Sequence, residues 1–336
     1  MRRAAAFALL GVIIVSFVLP MQAARSVRDD SAATDLSVSF PSPPDTSSTV
    51  PEFPLVSRAL MLQGGSTDAV LEDFDGDGAS DLAVAVSESN LLSVFFRQAD
   101  GTFLSHPSRN VSLQGIPVAL GVVDRYENGN KEIVVLQRKS DSYEFDHFVR
   151  VNTTTWVPTV PVTIAEGAVS LLIEDFTGSS SPDIAVLSEG TTPPSSNGKV
   201  QVFIGPQFSD FLLLKDDPGI TRFANGDYDD DDRQDIAVAN RVDGTVEIFS
   251  YPLSFAMAPN LTLAVSGDPA WLASGSFNGD SLTDLVVACQ EPSSLQFFLQ
   301  SSSVGIPTNA SLQLSLQVSP SRVVEGDMDS DSRTDL

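Results

Sequence analysis

The chain has 336 residues, of which 42% are hydrophobic, and a formal net charge of −25 with a pI near 4.1. This length and hydrophobic content support one or two folded domains, and 20 Phe argue against a disordered acidic protein. The charge excludes nucleic acid and anionic membrane surfaces as partners and favours cations. A single cysteine, Cys289, excludes an internal disulfide bond.

The N-terminal segment has the features of a secretory signal. Two arginines precede an uncharged, mostly apolar run of 16 residues, which a proline and several small residues end. This pattern predicts a signal peptide at 1–24. The run is shorter than the ~20 residues that span a bilayer, although an uncleaved anchor stays an alternative. Residues 25–55, rich in Ser, Thr and Pro, predict a flexible linker. We therefore expect a secreted, extracellular or cell-surface protein, with membrane attachment only through this segment or an anchor beyond Leu336.

The region 56–336 contains six copies of a nine-residue loop, and successive copies start 49 to 52 residues apart. The copies are DFDGDGASD (73–81), DRYENGNKE (124–132), DFTGSSSPD (175–183), DYDDDDRQD (227–235), SFNGDSLTD (276–284) and DMDSDSRTD (327–335). We number them loops one to six in chain order, and the positions within each loop one to nine. Their even spacing predicts one structural unit per repeat.

Short strands are predicted on both sides of each loop. An apolar run such as 82–84 follows the loop, and an alternating run such as 200–204 comes next. Four strands per repeat, without a helical pattern, predict an all-β fold: a β-propeller of four-stranded blades of about 51 residues. The sixth repeat stops at Leu336, so we expect an incomplete C-terminus and a full ring of six or seven blades. Segment 56–65 is similar to 107–116 and is expected to supply an outer strand of the last blade.

The loops have the composition of calcium sites. Side chains at positions one, three, five and nine can direct oxygen atoms at one point, as calcium prefers. Positions four and six carry mostly Gly, Asp or Ser, and Gly, and to a lesser degree Asp, tolerates the left-handed backbone that such wrapping needs. The predicted ligands are Asp73, Asp75, Asp77 and Asp81 in loop one, Asp227, Asp229, Asp231 and Asp235 in loop four, Ser276, Asn278, Asp280 and Asp284 in loop five, and Asp327, Asp329, Asp331 and Asp335 in loop six. A weaker set is Asp124, Asn128 and Glu132 in loop two and Asp175 and Asp183 in loop three, where a turn held by hydrogen bonds is the favoured interpretation.

Electrostatic repulsion supports a bound cation. The six loops hold 21 of the 44 acidic residues. Two like charges about 4 Å apart repel by roughly 4 kcal/mol at an effective dielectric constant near 20. Magnesium demands stricter geometry than calcium. An EF-hand is excluded, because position 12 is valine in the first five repeats and the flanks are strands.

The sequence D-F-D-G-D-G-x-x-D-L-A-V at 73–84, with DGTF at 100–103, resembles the FG-GAP/VCBS repeat of integrin-α-like β-propellers. The resemblance covers about residues 56–336. It is specific in loops one and four and weak in loops two and three, where Arg125 replaces the usual aromatic residue of loop two. It implies structural calcium between the first two strands of each blade, and a secreted or cell-surface protein in adhesion or in protein or glycan binding.

The leading hypothesis is therefore a non-enzymatic, calcium-binding interaction or adhesion module with an unknown extracellular protein or glycan as its partner. The alternatives are the propeller part of an extracellular polysaccharide lyase or hydrolase, and a lectin-like glycan binder. For the lectin, Trp156 is the expected surface aromatic residue, whereas Trp271 is expected in an inner strand and in the core. Four N-glycosylation motifs suit a secreted surface: Asn110, Asn152, Asn260 and Asn309.

Overall fold

The computed structural model describes residues 60–152, 155–189, 197–255, 257–303, 305–320, 322–327 and 333–336. Within these ranges every helix or strand assigned is a β-strand, and the strands form five sheets. The predicted all-β propeller is confirmed. The predicted signal peptide and linker at 1–55 lie outside the described residues. The described residues contain no helix of the length and hydropathy that a membrane span requires.

Each sheet is an antiparallel meander in which the first four strands pair in chain order. Blade one contains β1 (Ser66–Glu72), β2 (Asp81–Val86), β3 (Leu91–Phe95) and β4 (Arg109–Ser112). Blade two contains β5 (Ile116–Val123), β6 (Glu132–Arg138), β7 (Tyr143–Asn152), β8 (Thr155–Pro158) and β9 (Val162–Ile164), of which β9 pairs with β7. Blade three contains β10 (Ala168–Glu174), β11 (Asp183–Ser188), β12 (Gly198–Phe203) and β13 (Phe211–Asp217). Blade four contains β14 (Ile220–Gly226), β15 (Asp235–Asn240), β16 (Thr245–Phe249) and β17 (Leu261–Ala264). Blade five contains β18 (Pro269–Gly275), β19 (Asp284–Cys289), β20 (Ser294–Phe298) and β21 (Leu312–Ser315).

The core consists of apolar layers between neighbouring blades. The second strand of each blade is buried on both faces, which explains its continuous apolar sequence. Successive side chains of a strand point to opposite faces. Ala83 and Ala85 of β2 therefore belong to one cluster with Ile133 of blade two. Leu82 and Val84 face the other way, in a cluster that Leu60, Leu62 and Phe103 cover.

The first strand of every blade carries a β-bulge at the same repeat position. The pairing register slips at Thr67, Val118, Val169, Thr221 and Ala270. A bulge re-aims the extra side chain. Two of these side chains reach the next blade: Thr67 Oγ1 donates to the Pro117 carbonyl at 3.1 Å, and Thr221 Oγ1 donates to the Pro269 carbonyl at 3.0 Å.

The sixth repeat adjoins both ends of the row of blades. The Thr334 N–H donates to the Ser276 carbonyl at 3.1 Å, so this segment docks on loop five. The Arg322 guanidinium lies 5.2 Å from the ring centre of Trp271 in blade five. Burial raises the pKa of Asp68 in blade one, and the positive charge of Arg322 opposes that rise. The sixth segment therefore docks on blade five, and its Arg322 lies within electrostatic reach of Asp68 in blade one.

The N-terminal part of the described chain lies against blade one. Leu60 and Leu62 pack on its outward face, and the Met61 N–H donates to the Ser105 carbonyl at 2.6 Å. No strand is assigned to residues 60–65. The outer strand expected from 56–65 stays a prediction.

Candidate metal loops

The five loops that are described in full share one backbone conformation. Positions four and six have positive φ in every one of them: Gly76 and Gly78, Glu127 and Gly129, Gly178 and Ser180, Asp230 and Asp232, and Gly279 and Ser281. The expectation of a left-handed backbone at these positions is confirmed. Loops with many acids and loops with few have the same shape, so the backbone alone does not identify the metal-binding loops.

The residue at position one closes each loop from within. The Asp73 carboxylate accepts the N–H groups of Gly76 at 2.6 Å and Gly78 at 2.8 Å. The Asp227 carboxylate accepts those of Asp231 at 3.0 Å and Asp232 at 2.8 Å. Aspartate side chains favour such turns because they bind backbone N–H groups a few residues further on. These bonds define the loop independently of any ion.

The aspartate at position nine is a buried hydrogen-bond acceptor. Asp183 is completely buried and accepts the N–H of Phe176, in the loop, and of Gly205, just after the third strand, both at 2.9 Å. The same two bonds recur at Asp81, Asp235 and Asp284. Position nine therefore ties the loop to the third strand of its blade. The sequence analysis predicted a ligand here and missed this role.

Position two anchors the loops in the layers between blades. Phe74, Phe176 and Tyr228 are buried there. The Tyr228 hydroxyl also lies 2.7 Å from Ser274 Oγ of blade five, within hydrogen-bond distance. The loops are thus fixed both to their own blade and to the next one.

Loops one and four each bring three carboxylates together. Ligand oxygens of Asp73, Asp75 and Asp81 lie within 4.8 Å of one another, as do those of Asp227, Asp229 and Asp231. The remaining predicted ligands of these loops, Asp77 and Asp235, are outside these two groups.

The electrostatics of both groups suit a cation. Burial raises the pKa of Asp81 to about 6, and the charges of Asp75 and Asp77 add to the rise. In loop four, burial raises the pKa of Asp229, with further contributions from the charges of Asp231 and Asp227. A neighbouring cation relieves such repulsion. Three converging carboxylates also match the hard oxygen ligands that calcium prefers.

Loops five and three direct their side chains into hydrogen bonds. Asn278 Nδ2 donates to Asp280 Oδ2 at 2.9 Å, and Ser276 Oγ accepts the Ser281 N–H at 3.1 Å. In loop three, Asp175 accepts the N–H groups of residues 178 and 179 at 2.8 and 3.1 Å. Asp284 and Asp183 are the position-nine acceptors of these loops. In loop six Asp327 and Asp335 are described, whereas Asp329 and Asp331 lie outside the described residues.

Loop two carries its own cations. Arg125 forms an ion pair with Glu132, and Lys131 Nζ lies 4.0 Å from the Asp124 carboxylate. Asn128 accepts the N–H of residue 130 at 2.9 Å. The side chains expected to bind calcium weakly are therefore paired with protein groups.

Both tryptophans differ from the expected arrangement. The expectation that Trp156 lies at the surface is wrong: its exposed fraction is 6%, and its ring packs edge-on against Phe74 at 5.8 Å. Trp271 lies in the inner strand β18, as expected, but it is half-buried and is not part of the buried core. Its ring centre is 4.9 Å from the Arg222 guanidinium and 5.2 Å from that of Arg322.

Three of the four glycosylation motifs can be placed. Asn110, Asn260 and Asn309 are exposed, as an acceptor must be. The side chain of Asn152 lies outside the described residues.

Comparison with known proteins supports the fold. No family model matches the sequence, and no curated protein matches it. A functionally unknown protein from Desulfotomaculum acetoxidans is similar in structure, with a TM-score of 0.52, 10% identity, and coverage of 76% of this chain and 72% of that chain. A protein from Lactobacillus plantarum has a TM-score of 0.50 and 12% identity over 79% of this chain and 89% of that one. BBS1N, in complex with ARL6DN, has a TM-score of 0.50 and 12% identity over 78% of this chain and 71% of that one. At such identities the likeness shows the propeller fold alone.

Proposed function

We propose that this chain is a calcium-stabilised β-propeller of the FG-GAP/VCBS type that acts outside the cell as an interaction or adhesion module for proteins or glycans. The observation that carries the calcium proposal is the convergence of three carboxylates within 4.8 Å in each of two loops of the same shape. The net charge of −25 and the predicted signal peptide support an extracellular, calcium-rich setting.

The loop residues would hold the ion as follows. Asp73, Asp75 and Asp81 supply the side-chain oxygens in loop one, and the equivalent group supplies them in loop four. Calcium would neutralise carboxylates that otherwise repel one another, and it would stiffen one end of the propeller. A ligand at 100 times its dissociation constant stabilises the folded state by about 2.7 kcal/mol per site. The turns at the opposite end would remain available for a partner.

The test is calcium titration of the chain by isothermal calorimetry, together with melting in calcium and in EDTA. We expect heat from two or more sites and a clearly higher melting temperature in calcium than in EDTA. Magnesium at the same concentration serves as the control and should stabilise less. If calcium neither releases heat nor moves the midpoint, the calcium proposal is wrong.

We propose binding rather than catalysis. His147 and Cys289, an imidazole and a thiol of the kinds that act as base and nucleophile in some hydrolases, both lie buried within the blades. The exposed fraction of His147 is 2%, and Cys289 is fully buried with a thiol pKa raised by burial to about 11. A buried thiol of high pKa is a poor nucleophile. Depolymerisation of a polysaccharide by the purified chain would contradict this proposal.

A further inference from the structure

A groove lies between blades one and two at the end of the propeller opposite the metal loops. Its volume is about 470 Å³. Its walls are the turn after β2, the link into β5 and the turn after β6. The lining side chains are Asn90, Gln114, Ile116, Arg138, Lys139 and Ser140.

The charge of the groove is opposite to that of the chain. Acidic residues outnumber basic ones by 44 to 19 overall, yet the lining contains two cations and no acid. Lys139 is held at the wall by an ion pair with Glu144, whose exposed fraction is 6%. Arg138 is exposed, and its guanidinium makes no ion pair or hydrogen bond with the residues described here. The planar, positively charged guanidinium of Arg138 is therefore accessible to a ligand.

The floor of the groove is a rigid, buried network. The Gly115 N–H donates to Gln137 Oε1 at 2.8 Å, and Gln137, which is fully buried, donates in turn to Asp146. A Cβ at Gly115 would lie 2.7 Å from the Arg138 carbonyl oxygen. Only glycine therefore allows the connection between β4 and β5 to lie this close to the turn after β6. The network fixes the backbone beside Arg138 before any ligand arrives.

We propose that this groove binds a sugar that carries an anionic group, a carboxylate or a sulfate. The guanidinium fork of Arg138 matches the paired oxygens of such a group. The side-chain amides of Asn90 and Gln114 both donate and accept hydrogen bonds, as hydroxyl groups require. Ile116, with an exposed fraction of 37%, offers an apolar surface to the C–H face of a sugar ring. The volume lies in the range of ligand sites, roughly 300–1,000 Å³.

This inference rests on the proposed function as an interaction module and names its ligand class. The groove shares no residue with the metal loops. Sugar binding without calcium binding would therefore refute only the metal sites, and calcium binding without sugar binding would refute only the groove.

The experiment is calorimetric titration of the chain with trigalacturonate, with a sulfated galactose disaccharide and with neutral trigalactose. We expect one or both anionic sugars to bind, and the neutral one to bind at least about tenfold more weakly, since the charged contact is lost. The affinities for trigalacturonate and for the sulfated disaccharide show whether the groove prefers a carboxylate or a sulfate.

Matched variants locate the site. Arg138→Gln should weaken anionic sugar binding about tenfold or more. Arg241→Gln is the control, because Arg241 is exposed at the same repeat position in blade four, outside the groove; it should change affinity by less than about twofold. Ser140→Glu places an acid in the groove at an exposed position and should also weaken binding. Equal losses in the Arg138 and Arg241 variants, equal binding of the neutral sugar, or binding of an oligoglutamate peptide in place of the sugars would overturn the proposal.

Discussion

The guanidinium of Arg125 and the carboxylate of Glu132 make two contacts, from Nε to Oε2 at 2.7 Å and from Nη2 to Oε1 at 2.9 Å. In the other four fully described loops, an aromatic residue takes the place of Arg125 at position two and an aspartate that of Glu132 at position nine. Both partners in loop two are largely buried, with side-chain exposures of 14% and 7%. A protein cation therefore lies beside the acid at position nine of this loop.

Replacement of Arg125 by Gln should lower the free energy of unfolding by about 3 kcal/mol, because it leaves the Glu132 charge buried without its partner. Urea unfolding measures this loss. Lys131→Gln is the control: its ion pair with Asp124 is long at 4.0 Å, and the lysine is one-third exposed, so its loss should cost less than about 1 kcal/mol. A similar loss of unfolding free energy in both variants would show that the buried Arg125–Glu132 pair stabilises the fold no more than the exposed Lys131–Asp124 pair does.

Asp75→Asn and Asp229→Asn should each remove one calcium ion from the binding stoichiometry, and the double variant should remove two. Each change takes one carboxylate from a group of three, and calcium affinity depends on ligand charge. Calorimetric titration gives the count. Asp175→Asn in loop three is the matched control and should leave the count unchanged. Stoichiometry equal to wild type in all three variants would exclude loops one and four as the sites.

Asp183→Ala should destabilise the protein by roughly 3 kcal/mol, whether or not calcium is present. The change removes the acceptor of the Thr177 and Gly205 N–H groups, and each unsatisfied buried donor costs roughly 1–3 kcal/mol. Asp183→Asn keeps one acceptor oxygen and should cost less. Denaturant unfolding of the two variants separates these cases, and an alanine variant as stable as wild type would exclude the hydrogen-bonding role.

His147 should make the fold sensitive to acid. Burial lowers its pKa from 6.5 to about 4, and the charge of Arg125 contributes. Because the unfolded chain binds the proton more tightly, the stability that His147 contributes is present above pH 6.5 and decreases as the pH falls towards 4. The full loss is about 3 kcal/mol.

His147→Phe should remove this part of the pH dependence, because phenylalanine carries no proton and fits among Phe145 and Phe208. Burial raises the pKa of the neighbouring Asp146 to about 6, which acts in the opposite direction over the same pH range. The measurement is therefore the difference in unfolding free energy between wild type and variant from pH 7 to pH 4. A constant difference across that range would contradict the prediction.

The fold and the loop backbone could be predicted from the sequence because both depend on local patterns. Six loops at an even spacing indicated the blades, and the apolar runs after them indicated the second strands. Gly and Asp at positions four and six indicated the left-handed backbone, since these residues tolerate positive φ. Glu127, Ser180 and Ser281 adopt the same backbone without that signal.

The roles of individual acids could not be predicted in the same way. Asp73 and Asp81 are the same residue type in one loop, yet Asp81 is completely buried and Asp73 is not. Asp81 pairs with Glu72 across β1 and β2 and accepts the N–H of Arg97, which is 16 residues away. Its environment therefore depends on the register of the strands and on the end of a third strand, neither of which a nine-residue pattern contains.

The burial of Trp156 was missed for a related reason. Nearby prolines suggested an exposed loop, but Trp156 lies in β8, paired with Arg150 of β7. Its ring faces Phe74 in loop one of the adjacent blade. Only the packing of one blade on the next reveals this contact.

The five fully described loops form a natural charge series at constant shape. Bonds to the position-one side chain hold the backbone in each, and bonds to the position-nine aspartate do so in four of the five. An arriving ion would therefore find its site already ordered and would lose little conformational entropy on binding. The loops differ in their number of acidic residues: loops three and five have two each, loop one has four and loop four has six. Calcium affinity within this single chain should therefore follow the acid count, with loop four filling before loop one. Under the calcium proposal, comparing loops one and four within one protein would show how strongly carboxylate number affects calcium affinity.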